Sequence, residues 1–267
     1  MKTSEIKSRM EALGKWNSHN IKLMSDEGEE IWTRPEESNG NKKLMRDTVQ
    51  LIQDVFGDIK ELSFLDLGAM EGLHGLNIKC MGSKKVYINE GKEENYNKIV
   101  FAREALKLYG CPVSNTDAAK MQGNNEIDII LCFGLIYLFD VPEVFEVIKN
   151  MYNMCIKGVI IDAVFEEVKA PIMDLGVVET EFKTDFEHIE YDGEIYYGNW
   201  RNNDPSAYNS SLEHNKSWHF TSESLRRYLD KVGFTTVYDR KYPDNPENKR
   251  TFLCIKGEKL GKLPMEK

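Results

Sequence analysis

Short apolar runs alternate with helix-length amphipathic segments through the middle of this chain, and that alternation leaves few folds open. Ser63–Leu67, Lys85–Asn89, Val113–Thr116, Ile127–Phe133 and Val159–Phe165 have the length and apolar content of buried strands. Segments near Gly72–Met81, Lys92–Tyr109 and Pro142–Cys155 lie between them and repeat their apolar residues at helical spacing. A strand, a crossover helix and a second strand make a parallel pair with a right-handed connection. The spacing therefore predicts an α/β fold: a mostly parallel sheet with helices against its faces.

The flanks of this region behave differently. Ile6, Met10 and Leu13 mark a short N-terminal helix, and after an irregular stretch Lys42 to Phe56 resumes helical periodicity. Residues 1–60 thus read as a helical cap on a core spanning 61–165. From Glu166 to Ser217 the rhythm breaks into polar, aromatic, turn-rich sequence with a hairpin signal at Asp192-Gly193. A connection of that length carries a role of its own, so 166–217 is expected to be an inserted lid. Residues 218–267 then return to the core. Thr221 is placed to cap a helix ending at Gly233, and Thr235–Tyr242 and Arg250–Lys256 follow as strands.

Composition narrows the class. The chain is 41% hydrophobic and 30% charged, ordinary for a globular protein. No apolar run approaches the roughly 18–20 residues of a membrane span, and the charged N-terminus lacks a signal-peptide core. A cytoplasmic location with no membrane partner is the expectation. A net charge of −9 and a pI near 5.2 argue against a broad nucleic-acid surface, leaving room only for a local basic patch. The five cysteines are far apart and form no C-x-x-C pair, so they read as buried thiols and not as metal ligands. Oligomeric state is not written in these patterns.

The turn after the first predicted strand, "LDLGAMEGLHG", sharpens the picture. A dinucleotide fingerprint would need glycines where Met70 and Leu73 stand, and no Gly-Lys-Ser/Thr closes a phosphate loop. Glu71 also puts a carboxylate where a helix N-terminus would otherwise attract phosphate. The run matches acid-x-Gly-x-Gly-x-Gly at Asp66, Gly68 and Gly72, with Met70 in the central glycine's place. Glu90 ends the second strand about 20 residues on, where an acid can accept both hydroxyls of a ribose.

This pattern resembles motif I of the class I S-adenosylmethionine methyltransferases. The resemblance implies a Rossmann-like fold with a seven-stranded, mostly parallel sheet. It also implies S-adenosylmethionine as cofactor, with S-adenosylhomocysteine as product. Such a ligand carries an ammonium and a sulfonium and no phosphate, which accounts for acids around the turn. By the same resemblance Gly68, Ala69, Met70, Glu71, Gly72, Glu90 and Gly91 line the cofactor. Asp117 and Ala118 meet the adenine edge, and Phe133 closes the site after the fourth strand.

More narrowly, "WNSHNI", "DIILCFGLIYLF", "KSWHFTSESLRRYLDKVGF" and "NKRTFLCIK" resemble segments of the tRNA wobble-uridine carboxymethyl- and methoxyuridine-forming transferases. That group's histidine after Tyr137 is Leu138 here, and its proline before Ser222 is Thr221. "LGAMEG" with "INEG" also resembles relatives in carbohydrate and secondary-metabolite gene sets, where the acceptor is small. The expected function is O-methylation of a small polar or anionic acceptor: a sugar, a phosphorylated metabolite or a surface-glycan precursor. A tRNA wobble-uridine modifier and a degenerate S-adenosylmethionine-binding partner subunit are the alternatives.

A hydroxyl acceptor benefits from a general base within hydrogen-bond reach. His219 and His214, at the junction of insertion and core, are the leading candidates, with Tyr137, His19 and Asp162 behind them. The resemblance gives Tyr137 and Arg250 the task of holding an anionic group, and His19 and Trp200 complete the expected acceptor site. His74, on the helix after the turn, reads as a packing residue. No spacing indicates a metal site.

Overall fold

The computed structural model describes residues 1–34, 39–166, 186–204, 212, 214–241 and 248–257. The chain opens with α1 (Thr3–Ala12) and a small hairpin, β1 (Lys22–Met24) with β2 (Glu30–Trp32), followed by α2 (Asn39–Phe56). The core runs β3 (Ser63–Leu67), α3 (Leu73–Cys80), β4 (Lys85–Asn89), α4 (Glu93–Ala105), β5 (Val113–Ser114), β6 (Ile127–Phe133), α5 (Glu143–Met154) and β7 (Cys155–Val164). After it come β8 (Glu187–Tyr191), β9 (Glu194–Asn202), β10 (Lys216–Phe220), α6 (Ser222–Val232), β11 (Thr236–Lys241) and β12 (Lys249–Ile255).

Seven strands form one sheet in the order β11-β12-β7-β6-β3-β4-β5. All pairs from β7 to β5 are parallel, and β12 is antiparallel to both its neighbours. The chain builds outward from β3 to β5, then returns to add β6 and β7 on β3's other side. The strand order reverses between β3 and β6, and a crevice opens there at the carboxyl edge.

Each face of the sheet has its own core. One packs α5, α6 and the insertion's strands, centred on Phe145, Trp218, Tyr228 and Phe252. The other packs α1 to α4 around Phe64, Ile88, Ile129 and Ile160. The strands β3, β4 and β6 have the predicted bounds, because their apolar runs end in Gly, Asn-Glu and Gly. Gly75 lets α3 settle on β3, since a Cβ there would lie 2.8 Å from Ile88 and 3.0 Å from Asp66. Thr221 Oγ1 accepts from Ser224 N at 3.1 Å and caps α6, and Gly233 ends it at φ 122°.

Two features were not predicted. The irregular N-terminal stretch contains the β1–β2 hairpin. In the insertion, β8 and β9 meet at the expected Asp192-Gly193 hairpin, but β10 extends them into a separate three-stranded antiparallel sheet, which was not foreseen. The parts of the expected lid at 167–185, 205–211 and 213 lie outside the described residues, as does most of the turn before Lys249. No helix among the described residues is long and apolar enough to cross a membrane.

One ionic knot ties the N-terminal segment to the core. Glu71 is fully buried and accepts three consecutive backbone N–H groups, from Asn17 (2.8 Å), Ser18 (3.1 Å) and His19 (2.6 Å). Lys98, equally buried on α4, approaches Glu71 at 3.7 Å and donates to Lys15 O at 2.6 Å and Glu94 at 2.7 Å. Removing one member of such a buried set strands the others without partners. Glu71→Ala is expected to cost about 3–5 kcal/mol, measured as a lower urea midpoint; a loss below about 1 kcal/mol would leave the segment held by packing alone.

Candidate active site

Strand ends supply the acidic side of a cavity of ≈ 370 Å³ at the sheet's carboxyl edge. Asp66, last but one in β3, is buried and accepts from Gly75 N at 2.7 Å. Burial, opposed by that bond and aided by the nearby Glu90 charge, pushes its carboxyl up to about 7. Glu90, just past β4, accepts from Met70 N (2.7 Å) and Lys92 N (2.8 Å), and burial raises its pKa as well. With a further hydrogen bond from the Asn95 side chain, three donors already meet this carboxylate, which leaves it limited room to accept from a ligand. Asp117 lies next on the wall, its side chain accepting from Ala119 N at 3.0 Å.

The turn between β3 and α3 passes beneath these acids. Gly68 sits at φ 68°, and a Cβ there would meet Leu135 at 2.7 Å. Met70 adopts φ 52°, so it takes the left-handed conformation that a glycine would hold more cheaply. Gly91 is covered by Leu212, whose Cδ1 would be 2.5 Å from an added Cβ.

The opposite side is formed by segments remote in sequence. His19 is buried, and its Nδ1 accepts from Leu73 N at 3.3 Å, which places the ring proton on Nε2. Burial lowers its pKa to about 4, outweighing the attraction of Glu71. His74 packs edge-on against Phe133 (4.6 Å) and His19 (5.5 Å), and burial holds it well below the ordinary imidazole range. Lys249 pairs with the buried Asp162 at 2.6 Å, and Thr251 Oγ1 donates to that carboxylate at 2.8 Å. Near the mouth His214 Nε2 is hydrogen-bonded to Glu143 Oε2, with Tyr137 lining the same space. Among the described residues no cluster of three or more His, Cys, Asp or Glu is arranged to hold a metal.

No family model matches the chain, and no curated protein matches it in sequence. Solved structures do resemble it. The N-terminal domain of EvdMO1 with S-adenosylhomocysteine bound superposes with a TM-score of 0.69 at 18% identity, covering 96% of each chain. Magnesium protoporphyrin IX methyltransferase from Synechocystis PCC 6803, with bound S-adenosylmethionine, gives 0.54 at 13% identity over 82% of this chain and 80% of that one. An S-adenosylmethionine-dependent methyltransferase from Clostridium acetobutylicum ATCC 824 gives 0.55 at 15% identity, over 81% and 92%. The fold is that of the class I methyltransferases. The tRNA-modifying group is absent from these three.

The expected site residues divide. Gly68, Ala69, Met70, Glu90, Gly91, Asp117, Ala118, Phe133, Tyr137, His19 and His214 all line the one cavity. Glu71 does not; its carboxylate turns away and is consumed by the N-terminal backbone. Gly72 is the N-terminal residue of α3's cap and faces Ile99. His219 stands off the wall with its ring 5.4 Å from that of Tyr137, and burial lowers its pKa to about 4. Trp200 packs on Trp218 at 5.3 Å. Arg250 pairs with Asp239 at 2.5 Å, because consecutive strand residues point to opposite faces and its neighbour Lys249 takes the cavity side. Sequence reasoning missed Lys249, Arg34, Lys92, Asn95 and Glu143, and treated His74 as packing alone.

Two buried groups make opposite contributions to stability across acid pH. Asp66, with its folded pKa raised, stabilises at low pH and loses that contribution as pH rises from about 4 to about 7. His19, with its folded pKa lowered, contributes above about 6.5 and loses this as pH falls toward 4. Asp66→Asn is therefore expected to gain stability relative to wild type with rising pH, by up to about 1.4 kcal/mol per unit. His19→Asn should show the reverse slope. Urea melts between pH 4 and 7.5 measure both; parallel curves for wild type and Asp66→Asn would mean Asp66 is ionised throughout.

Proposed function

We propose that this chain is an S-adenosylmethionine-dependent methyltransferase acting on a hydroxyl of a small polar acceptor. The observation that carries the reading is the meeting, in one cavity, of the strand-end acids Asp66, Glu90 and Asp117 with the His214–Glu143 pair. The acidic side chains along that wall suit a cationic nucleoside and oppose a pyrophosphate. The close Gly68 turn leaves no side chain under such a ligand, and Glu90 retains acceptor capacity for a ligand hydroxyl. The residues present fit the cofactor.

Bound there, S-adenosylmethionine supplies a methyl group on an electrophilic sulfonium. The chain's own residues then have to bring the acceptor into line and take its proton. Hydrogen-bonded to Glu143, His214 is the candidate to take that proton, and the carboxylate steadies the imidazolium that results. Tyr137, backed by His219, contributes a hydroxyl to the same wall.

A small acceptor is favoured over tRNA for two reasons. Arg250, which the narrower resemblance made an anion clamp, is occupied by Asp239, and the net charge of −9 opposes polyanion binding. EvdMO1's N-terminal domain was also determined in the presence of S-adenosylhomocysteine and D-fucose, which supports a sugar-like acceptor here.

S-adenosylhomocysteine is expected to raise the melting temperature of the purified chain by linkage, and NAD is not. Glu90→Ala should lose most of that rise, since hydrogen bonds to a charged group are worth about 1.5–3 kcal/mol. An undiminished rise in the variant would remove Glu90 from the site. With labelled methyl donor and pooled sugar acceptors, His214→Ala should depress turnover by about 10²–10⁴. Glu143→Gln should fall between it and wild type; wild-type rates in both would leave proton removal to solvent.

A further inference from the structure

Glu71 and the segment it holds do no work in the cofactor reading, yet they fix two groups on the cavity wall. Arg34 follows β2 and is pinned to the same segment: its backbone N–H donates to Asn20 Oδ1 at 3.0 Å and its Nη1 to Ser18 O at 3.2 Å. No carboxylate among the described residues pairs with its guanidinium, although it borders the cavity. Its charge reaches the His19 ring, which it pushes further toward the neutral form. His19 in turn keeps its Nε2–H for the cavity, because Nδ1 is committed to Leu73 N and nothing described accepts from Nε2. A buried neutral N–H beside a guanidinium that no described carboxylate pairs is a donor pair suited to an anion.

We propose that Arg34 and His19 form a receptor for an anionic group, a carboxylate or phosphate, carried by the acceptor. The proposal rests on the methyltransferase reading for what else occupies the cavity. The acids Asp66, Glu90 and Asp117 line the strand-end side, with Lys92 beside Glu90, while Arg34 and His19 come from the N-terminal segment, so the donor pair stands apart from those three acids. An acceptor that is anionic at one end would be oriented by that separation before any proton moves.

The test titrates S-adenosylhomocysteine and inorganic phosphate, separately and together at constant ionic strength, onto three proteins by calorimetry. Besides wild type these are Arg34→Gln and His19→Asn, the latter keeping an acceptor for Leu73 N while removing the Nε2 donor. Phosphate is expected to bind wild type with or without S-adenosylhomocysteine, and to weaken about tenfold or more in Arg34→Gln. His19→Asn should weaken it several-fold, and S-adenosylhomocysteine affinity should change less than about twofold in either. A tenfold loss of S-adenosylhomocysteine affinity in Arg34→Gln would overturn the proposal, since the guanidinium would then hold the cofactor's own carboxylate. Phosphate that fails to bind wild type, or binds Arg34→Gln equally well, overturns it too. Phosphate binding that depends on Arg34, in a chain that ignores S-adenosylhomocysteine, would sustain the receptor and sink the methyltransferase reading.

Discussion

The site depends on a single buried carboxylate that never touches it. Glu71 gathers three successive backbone N–H groups from a segment with little regular structure, and Lys98 balances its charge without exposure to water. Trp16 and Ile21 anchor its ends in the core, but Asn17, Ser18 and His19 between them are polar and must offset their ordering entropy by hydrogen bonding. Charge-assisted bonds to a fixed acceptor supply that order. Through them the turn after β3 sets both the floor of the cavity and the position of the wall facing it.

The same turn divides labour between neighbouring residues by backbone geometry. Gly68 and Met70, both at positive φ, bend the chain so that Ala69 and Met70 border the cavity while Glu71 points behind it. Glu90 closes the arrangement by accepting from Met70 N, so one acid steadies the turn's cavity side and the other its far side. Insertion residues complete the mouth: Leu212 covers Gly91, and His214 reaches Glu143 at the start of α5.

Much of this was legible in the sequence, and the failures share a cause. Strands β3, β4 and β6 were read with their bounds, and Gly68, Glu90 and Asp117 fell at strand ends, where position follows from chain order. Direction did not follow. Glu71 lies within the motif, but its orientation is decided by the φ of its neighbours. Arg250 was chosen over Lys249, and on a strand that single step selects the opposite face. His219 and Trp200 belong to β10 and β9, whose pairing buries Trp218 and turns both neighbours from the cavity. Arg34 and Glu143 carry no motif at all; only the fold brings them to the wall.

The place of β12 has a consequence for how the chain is made. It lies between β7 and β11, so β7 has no partner on that side until residues 249–255 exist. During synthesis the run Val159–Ile161 therefore sits at an open sheet edge while some 85 further residues are added. At about 5–20 residues per second, that interval lasts several seconds. The ribosome-bound chain thus carries, for longer than most of its elements take to form, an apolar strand edge that β12 later covers.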